Sequence, residues 1–178
     1  MKKALFLDRD GTLIVDKHYL HDPEGVELFP GVAESIAHVR KLGYRLYLIT
    51  NQSGIGRGYY TEADAVRCNE RMEQLIGLGP EPLFAEICIA PETPEQPQRY
   101  RKPSPRFILE MIARDNLDPA QCWMVGDRDA DIDTAFNAKI NPVALCTGKL
   151  ARADWAAIPV YRDVPVFDDF AAFAKTLE

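Results

Sequence analysis

Two aspartates follow the first apolar run of the chain, and their spacing is typical of a cation site. Asp8 and Asp10 come directly after residues 3–7, and Gly11 follows them with the freedom to make a tight turn. Side chains two apart in an extended segment point the same way, so both carboxylates project together. Converging carboxylates repel unless one is protonated or a cation lies between them, and Mg²⁺ prefers such oxygen ligands. The alternative is a solvated acidic turn.

A second polar group follows the apolar run 45–49. Thr50, Asn51, Gln52 and Ser53 lead into a stretch with glycine at alternate positions, ending at Gly58. Hydroxyl, amide and backbone N–H groups in such a turn can donate hydrogen bonds to phosphate oxygens. The glycines do not match a dinucleotide fingerprint, which needs G-x-G-x-x-G directly before a helix. Taken alone, they are equally compatible with a mobile loop.

A basic pair, Arg101 and Lys102, stands at the entrance of a helical pattern. A lysine at that position can hold a transferring phosphoryl group as a point charge, and an arginine can bind a second anionic group through two hydrogen bonds. A lone basic pair is more often ordinary surface. Its place in the half of the sheet that carries the other polar groups favours a functional role.

A third acidic strand end follows residues 122–125, where Asp127 comes directly after Gly126. Carboxylates at buried strand ends are costly unless they are paired or metal-bound. We therefore expect Asp127 to complete a metal site with Asp8 and Asp10. Asp131 lies about one helical turn further on; it either ligates through a water or caps the helix.

These groups together fit one mechanism. Asp8 attacks phosphorus and forms an aspartyl-phosphate, and Asp10 protonates the leaving oxygen and then activates water. Mg²⁺ offsets the repulsion between Asp8 and phosphate, and Thr50 and Lys102 stabilise the charge on the equatorial oxygens.

The elements that must position these residues alternate between short apolar runs and helical patterns. This alternation predicts an α/β fold, with a doubly wound, mostly parallel sheet. Ligands of such sheets bind beyond the carboxyl ends of the strands, where the polar groups above occur. Strands are expected at 3–7, 45–49, 84–90, 122–125 and 141–145, with a weak sixth at 160–161. Helices are expected at 32–42, 61–76, after Ser104-Pro105, at 129–138 and at 167–177.

Length and composition are those of one globular domain spanning residues 1–178. Apolar residues make up 47% and charged residues 27% of the chain, an ordinary balance, and the net charge of −6 disfavours a nucleic-acid partner. The amino-terminal apolar run is too short for a signal peptide, and no stretch is long enough to span a bilayer. The four widely spaced cysteines favour a reducing compartment. We expect a cytoplasmic protein, monomeric by default, without a membrane partner.

The motif set resembles the haloacid dehalogenase superfamily of phosphohydrolases. Its four motifs occur in order over most of the chain: Asp8-x-Asp10-Gly11-Thr12, Thr50-Asn51, Lys102 and Gly126-Asp127. The longer strings FLDRDGT, TNQSGIGRG and RKP are similar to the branch that contains heptose bisphosphate phosphatases and histidinol phosphatases. The resemblance implies a Rossmann-like domain without a large cap, which agrees with the absence of a domain-sized insertion in the sequence.

The same resemblance implies residue roles. Asp8 is expected to be the nucleophile, Asp10 the general acid and base, and Asp127 the third metal carboxylate. Substrate contacts are expected from Asp16, Lys17, His18, Tyr19, Thr50, Asn51, Gln52, Ser53, Arg101 and Arg128.

One departure from that branch concerns zinc. Many members bind a structural zinc ion before the Arg-Lys pair through Cys-x-His and Cys-x-Cys. The matching positions read Ala90-Pro91-Glu92 and Gln98-Arg99-Tyr100, so all four ligands are missing. A single nearby thiol, Cys88, cannot build a tetrahedral site. We expect no zinc, and the proline-rich segment 91–103 is either a functional or a flexible loop.

The favoured substrate is D-glycero-D-manno-heptose 1,7-bisphosphate, since Arg101 and residues 16–19 suit a second anion. Histidinol phosphate is the rival substrate. A phospho-acceptor module similar to a receiver domain is the rival of a different class. It also carries clustered aspartates, a threonine and a lysine. Receivers, however, place the acceptor on an interior strand and a paired acidic cluster on the first strand, whereas here Asp10 stands next to the nucleophile, which favours rapid dephosphorylation.

Overall fold

The first strand, β1 (Lys2–Leu7), is buried on both faces, as expected for the centre of a parallel sheet. Ala4 and Phe6 pack into one apolar cluster, and Leu5 and Leu7 pack into another. All four side chains have an exposed fraction of 0%. The strict alternation along β1 fixes its register, because a slip of one residue would exchange the two faces.

The computed structural model describes residues 2–178. Within these residues six parallel strands form one sheet in the order β3-β2-β1-β4-β5-β6. The strands after β1 are β2 (Arg45–Asn51), β3 (Glu86–Ala90), β4 (Leu117–Gly126), β5 (Asn141–Leu145) and β6 (Val166–Phe167).

Helices cover both faces of the sheet. The helices are α1 (Val32–Lys41), α2 (Ser53–Gly56), α3 (Glu62–Ile76), α4 (Arg106–Asp115), α5 (Asp129–Ala138), α6 (Arg152–Ala157) and α7 (Phe170–Ala174). Helices α1, α3 and α7 pack with Leu5 and Leu7, whereas α4 and α5 pack with Ala4 and Phe6. A third cluster around Trp155 and Tyr161 closes the β5 side. This is the doubly wound α/β architecture that the alternating pattern predicted.

The chain reverses its direction of travel across the sheet between β1 and β4. From β1 it moves outward to β2 and β3, then returns to β4 on the other side of β1 and moves outward to β5 and β6. Neighbouring crossover helices therefore lie on opposite faces here and leave a crevice at the carboxyl ends of β1 and β4. Leu7 pairs with Val125, so the residues that follow both strands meet in this crevice.

Five predicted strands are present, some with extended bounds, but the weak sixth prediction at 160–161 is wrong. Those residues belong to a 3₁₀ turn, Pro159–Tyr161, and Tyr161 is buried in the third cluster. The sixth strand is β6, whose two residues pair with Ala144 and Leu145. So short an edge strand carries too little pattern to be recognised in a sequence.

The helix starts follow local chemistry. Thr61 and Asp64 form a reciprocal capping box at α3, as the sequence predicted. Helix α4 begins at Arg106, and the Ser104 hydroxyl accepts a hydrogen bond from the Arg106 N–H at 3.4 Å. The expected terminal helix at 167–177 is shorter, because Phe167 pairs in β6 and Asp169 caps the helix through the Ala172 N–H at 2.7 Å. No helix within residues 2–178 has the length and apolar character needed to cross a bilayer.

Candidate active site

The crevice between β1 and β4 holds a buried ion group built from three parts of the chain. Lys102 Nζ lies 2.7 Å from Asp8 Oδ1 and 2.6 Å from Asp131 Oδ1. Each of the three residues has an exposed fraction of 5% or less. Burial lowers the pKa of Lys102, but the charges of Asp131 and Asp8 outweigh this effect and raise it, so the lysine is a permanent cation. The sequence predicts that Lys102 binds the transferring phosphoryl group. The structure shows that its ammonium group forms ion pairs with two carboxylates, Asp8 and Asp131.

The side chain of Asn51 holds Lys102 in place. Asn51 Oδ1 accepts a hydrogen bond from the Lys102 N–H at 2.9 Å, and Asn51 Nδ2 donates one to the Lys102 carbonyl oxygen at 3.2 Å. This reciprocal pair ties the end of β2 to the segment before α4. Asn51, expected as a substrate contact, therefore also positions the lysine.

Three buried carboxylates converge in the crevice. Asp8, Asp127 and Asp131 each offer an oxygen within 4.8 Å of the others. Burial raises the pKa of Asp8 to about 7, opposed by Lys102. Burial, with the charges of Asp8 and Asp131, raises the pKa of Asp127 to about 8. These carboxylates are buried and repel one another, and a cation between them would relieve the repulsion.

The donor set fits a hard divalent cation. Asp127 Oδ1 is buried and has no hydrogen-bond partner in the described chain, so one acceptor in the cluster is left over. Carboxylate oxygens are the ligands that Mg²⁺ takes. Asp131 also caps helix α5, since its Oδ2 accepts from the Arg128 N–H at 3.0 Å. Of the two roles expected for Asp131, the helix cap is present, and its place in the carboxylate cluster leaves ligation through a water as a prediction.

Two glycines make room for Asp127. A Cβ on Gly11 would lie 2.5 Å from Asp127 Oδ2, and one on Gly148 would lie 2.1 Å from the same atom. Gly11 also has a φ of +85°, which L side chains rarely adopt. Thr147 donates a hydrogen bond to the Gly11 carbonyl and joins the two glycine segments. Gly148 was missed in the sequence, where no motif surrounds it.

The Asp10 carboxylate lies outside the cluster of carboxylate oxygens formed by Asp8, Asp127 and Asp131, and metal ligation by Asp10 stays a prediction. Arg9 Nε donates to Asp10 Oδ2 at 3.0 Å, and Arg9 Nη2 donates to Asp10 Oδ1 at 3.2 Å. Gln52 Nε2 and Thr50 Oγ1 also reach Asp10 Oδ2, at 2.9 and 3.4 Å. These donors draw the carboxylate away from Asp127, to a place on the pocket wall.

A buried polar network behind Asp10 was not anticipated. The Arg9 side chain is fully buried, and its Nη1 donates to Asn69 Oδ1 on α3 at 2.9 Å. Tyr60 donates to Gln52 Oε1 at 2.6 Å. One signal was available for Arg9: in an extended segment it must point opposite to Asp8 and Asp10, hence into the protein. Nothing in the sequence pairs it with Asn69, which lies 60 residues away.

A pocket of about 280 Å³ opens in front of these groups. It brings together most of the residues singled out in the sequence. Its lining includes Asp8, Asp10, Asp16, His18, Tyr19, Thr50, Asn51, Gln52, Ser53, Arg101, Lys102 and Arg128.

Two expected substrate contacts differ from the prediction. Lys17 does not line the pocket, and its Nζ lies 3.0 Å from Glu27 Oε2 instead. Gln52 is only 3% exposed, and its amide is fully engaged with Asp10, Thr50 and Tyr60. Gln52 therefore supports the pocket wall, and the bonds it would offer a substrate are already made.

The pocket lining outside the buried ion group carries both arginines and carboxylates. Arg128 Nη2 lies 2.6 Å from Asp16 Oδ2, which links the end of β4 to the segment after β1. Asp16 Oδ1 in turn accepts from the His18 N–H at 2.9 Å. His18 and Tyr19 have φ values of 51° and 58°, so the segment bends sharply at the pocket mouth. Arg101 also lines the pocket, directly before Lys102, whose Nζ reaches Asp8.

Several known proteins are similar to this chain in sequence and fold. Residues 99–173 match the family model described as HAD-hydrolase-like. The chain is 41% identical over 145 residues to a D-glycero-beta-D-manno-heptose-1,7-bisphosphate 7-phosphatase from Helicobacter pylori, covering 78% of this chain and 80% of that protein. It is 39% identical to the enzyme of the same name from Pasteurella multocida, covering 84% of both chains.

A solved structure agrees over nearly the whole length. It is the D,D-heptose 1,7-bisphosphate phosphatase from B. bronchiseptica, complexed with magnesium and phosphate. Its TM-score is 0.87 at 28% identity, with 98% of this chain and 97% of that chain covered.

Proposed function

The chain belongs to the haloacid dehalogenase-like phosphatases, and we propose that it removes the 7-phosphate of D-glycero-D-manno-heptose 1,7-bisphosphate in a Mg²⁺-dependent reaction. The observation that carries this proposal is the buried group of Asp8, Lys102 and Asp131 beside Asp127, in a pocket that Arg101 and Arg128 also line. Relatives that are 35–41% identical over most of the chain bear the name of this activity.

Asp8 is the nucleophile of the proposed reaction. Its Oδ1 is held by Lys102 at 2.7 Å, which fixes the carboxylate at the pocket floor and leaves Oδ2 for attack. Attack on phosphorus forms the P–O bond to Asp8, and the sugar oxygen departs with the electron pair of the broken bond. Lys102 then stabilises charge on the equatorial oxygens.

A Mg²⁺ ion held by Asp8 and Asp127, with Asp131 beside them, supplies charge neutralisation between the phosphate and the carboxylates. The magnesium in the B. bronchiseptica structure supports this assignment. Asp10 is outside the cluster and serves proton transfer. It protonates the leaving sugar oxygen, and then takes a proton from the water that hydrolyses the aspartyl-phosphate.

A second phosphate gives the two arginines of the pocket lining a role. In a bisphosphate the group that is not cleaved needs its own partners, and Arg101 and Arg128 supply guanidinium donors that suit it. Histidinol phosphate has no second anion and leaves these arginines without a role. The receiver-like alternative is set aside because Asp8 follows the first strand and the relatives are phosphatases. Relatives carry both beta and alpha anomer names, so the anomer is a matter for assay.

Three further expectations remain predictions: no structural zinc, a monomer, and a cytoplasmic location. The four free thiols, Cys68, Cys88, Cys122 and Cys146, agree with a reducing compartment. Metal analysis of the purified protein and its mass in solution test the first two.

The decisive experiment measures phosphate release with Mg²⁺ from both anomers of heptose 1,7-bisphosphate, from histidinol phosphate and from sugar monophosphates. We expect strong preference for one bisphosphate anomer, abolition by EDTA and loss of turnover in Asp8→Asn. A preference for histidinol phosphate would make that compound the substrate instead. Substantial activity in Asp8→Asn would show that Asp8 is not the nucleophile.

A further inference from the structure

The segment 91–103 has little regular backbone bonding to hold its shape. It contains four prolines, at positions 91, 94, 97 and 103, and proline has no N–H to donate. Short turns account for some of its backbone bonds, such as Gln96 N–H to the Thr93 carbonyl at 3.1 Å. Side chains must therefore set the path of the segment, which carries Arg101 to the pocket mouth.

Glu92 ties this segment to itself. Its Oε1 accepts hydrogen bonds from the N–H groups of Arg99 and Tyr100, at 2.9 and 3.0 Å. These two bonds cross the loop and join its start to its end. Burial raises the pKa of Glu92, but the backbone N–H donors outweigh it and hold the pKa below its ordinary value, so the carboxylate stays ionised.

Glu92 also orients Arg101. The Arg101 Nη1 donates a hydrogen bond to the Glu92 carbonyl oxygen at 3.1 Å. The carboxylate of Glu92 fixes residues 99 and 100 directly before Arg101, and the backbone carbonyl of Glu92 accepts from the guanidinium. The carboxylate therefore acts on Arg101 through the backbone that leads into it. Burial lowers the pKa of Arg101, and the negative charge of Glu92 opposes this effect, so the Glu92 carboxylate also attracts the guanidinium.

We propose that Glu92 is a positioning residue that holds Arg101 at the pocket mouth and thereby sets the affinity for the phosphate that is not cleaved. The inference rests on the proposed function, since it assigns Arg101 to the second phosphate of a bisphosphate. It assigns Glu92, which does not line the pocket, a role in substrate selection. The same contacts account for the order of a loop that lacks the zinc ligands of its relatives' branch.

The chain offers a matched control. Gln98 also ties the loop, since its Nε2 donates to the Thr93 carbonyl oxygen at 2.9 Å, but this bond does not reach the residues directly before Arg101. Gln98→Ala therefore loosens the same segment and leaves the bonds from Glu92 to the Arg99 and Tyr100 N–H groups in place. Glu92→Gln keeps an acceptor oxygen at the same place and serves as the conservative variant.

The kinetic test compares the KM and kcat of Glu92→Ala, Glu92→Gln, Gln98→Ala and Arg101→Ala. For the bisphosphate we expect the KM of Glu92→Ala to rise about tenfold with kcat nearly unchanged, since only binding of the remote group is lost. Glu92→Gln recovers part of the affinity, and Gln98→Ala resembles the wild type. A sugar monophosphate shows no such rise. The Glu92→Ala/Arg101→Ala double variant is no worse than Arg101→Ala alone, because the Glu92 side chain affects substrate binding only by positioning Arg101.

Hydrogen exchange tests the tie without any substrate. In Glu92→Ala, and less so in Glu92→Gln, the amides of Arg99 and Tyr100 exchange faster than in the wild type. If these two amides exchange at the wild-type rate, the Glu92 carboxylate does not hold the loop. Faster exchange with an unchanged bisphosphate KM, or equal effects in Gln98→Ala, overturns the role in substrate selection. A wild type that releases phosphate from no bisphosphate refutes the proposed function instead, while the exchange result still decides whether Glu92 holds the loop.

Discussion

Replacing Lys102 with methionine tests the buried ion group most directly. The variant keeps the length and apolar volume of the side chain but leaves Asp8 and Asp131 without the cation that lies 2.7 and 2.6 Å away. Removing one partner of a buried ion pair costs about 3–5 kcal/mol. For a chain of this size 1 kcal/mol shifts Tm by about 2–4 °C, so the expected loss is about 6–20 °C in metal-free buffer.

The sign of the pH dependence follows from Asp8. Burial raises its pKa to about 7 even though Lys102 lowers it, so the pKa rises further in Lys102→Met. A carboxyl whose folded pKa exceeds its unfolded value destabilises the folded state increasingly as pH rises toward the folded pKa. The loss of stability of Lys102→Met relative to the wild type is therefore larger near pH 8 than near pH 6.

The assay is thermal unfolding followed by circular dichroism at both pH values, with and without Mg²⁺. Lys17→Met is the matched control, because Lys17 pairs with Glu27 on the surface, where both side chains are well exposed. We expect this control to unfold close to the wild type. A Lys102→Met protein that unfolds within about 2 °C of the control near pH 8 refutes the reasoning, because a buried carboxylate without its cation should destabilise the folded state by more than this. Phosphate release by Lys102→Met should fall about 10²–10³-fold even where the variant is folded.

The remaining predictions concern the acid/base residue and the cation. Asp10→Asn should slow both half-reactions and let phosphoenzyme accumulate, which acid-quenched samples reveal by mass; an unchanged rate contradicts the acid/base role. Gly148→Ala should weaken Mg²⁺ binding at least about tenfold by calorimetry, because its Cβ would displace Asp127 Oδ2. Its control is Gly43→Ala, where a Cβ would meet nothing within 4 Å, and equal affinities in the two variants would count against a cation at Asp127. Mg²⁺ should raise Tm more near pH 8 than near pH 6, since pKa values of about 7 for Asp8 and about 8 for Asp127 let protons compete with the ion at lower pH. Equal shifts at both pH values would argue that the ion binds elsewhere.

The sequence determined the architecture and the place of the chemistry. Alternating apolar runs and helical patterns are enough to specify a parallel sheet, and the carboxyl ends of parallel strands share one edge. Asp8, Thr50 and Asp127 were therefore predictable neighbours, although they are far apart in the chain. The physical reason is that strand direction is set by chain connectivity, which a sequence displays.

Tertiary structure alone decided which way the side chains turn. Asp10 has the right spacing for a metal ligand, yet Arg9 and Gln52 draw its carboxylate aside, and Arg9 can do so only because Asn69 on α3 receives its other donor. Glu92 reads as an ordinary loop residue until the loop closes and brings the N–H groups of Arg99 and Tyr100 to it. Such contacts join residues whose separation in the chain carries no periodic signal, so local pattern cannot predict them.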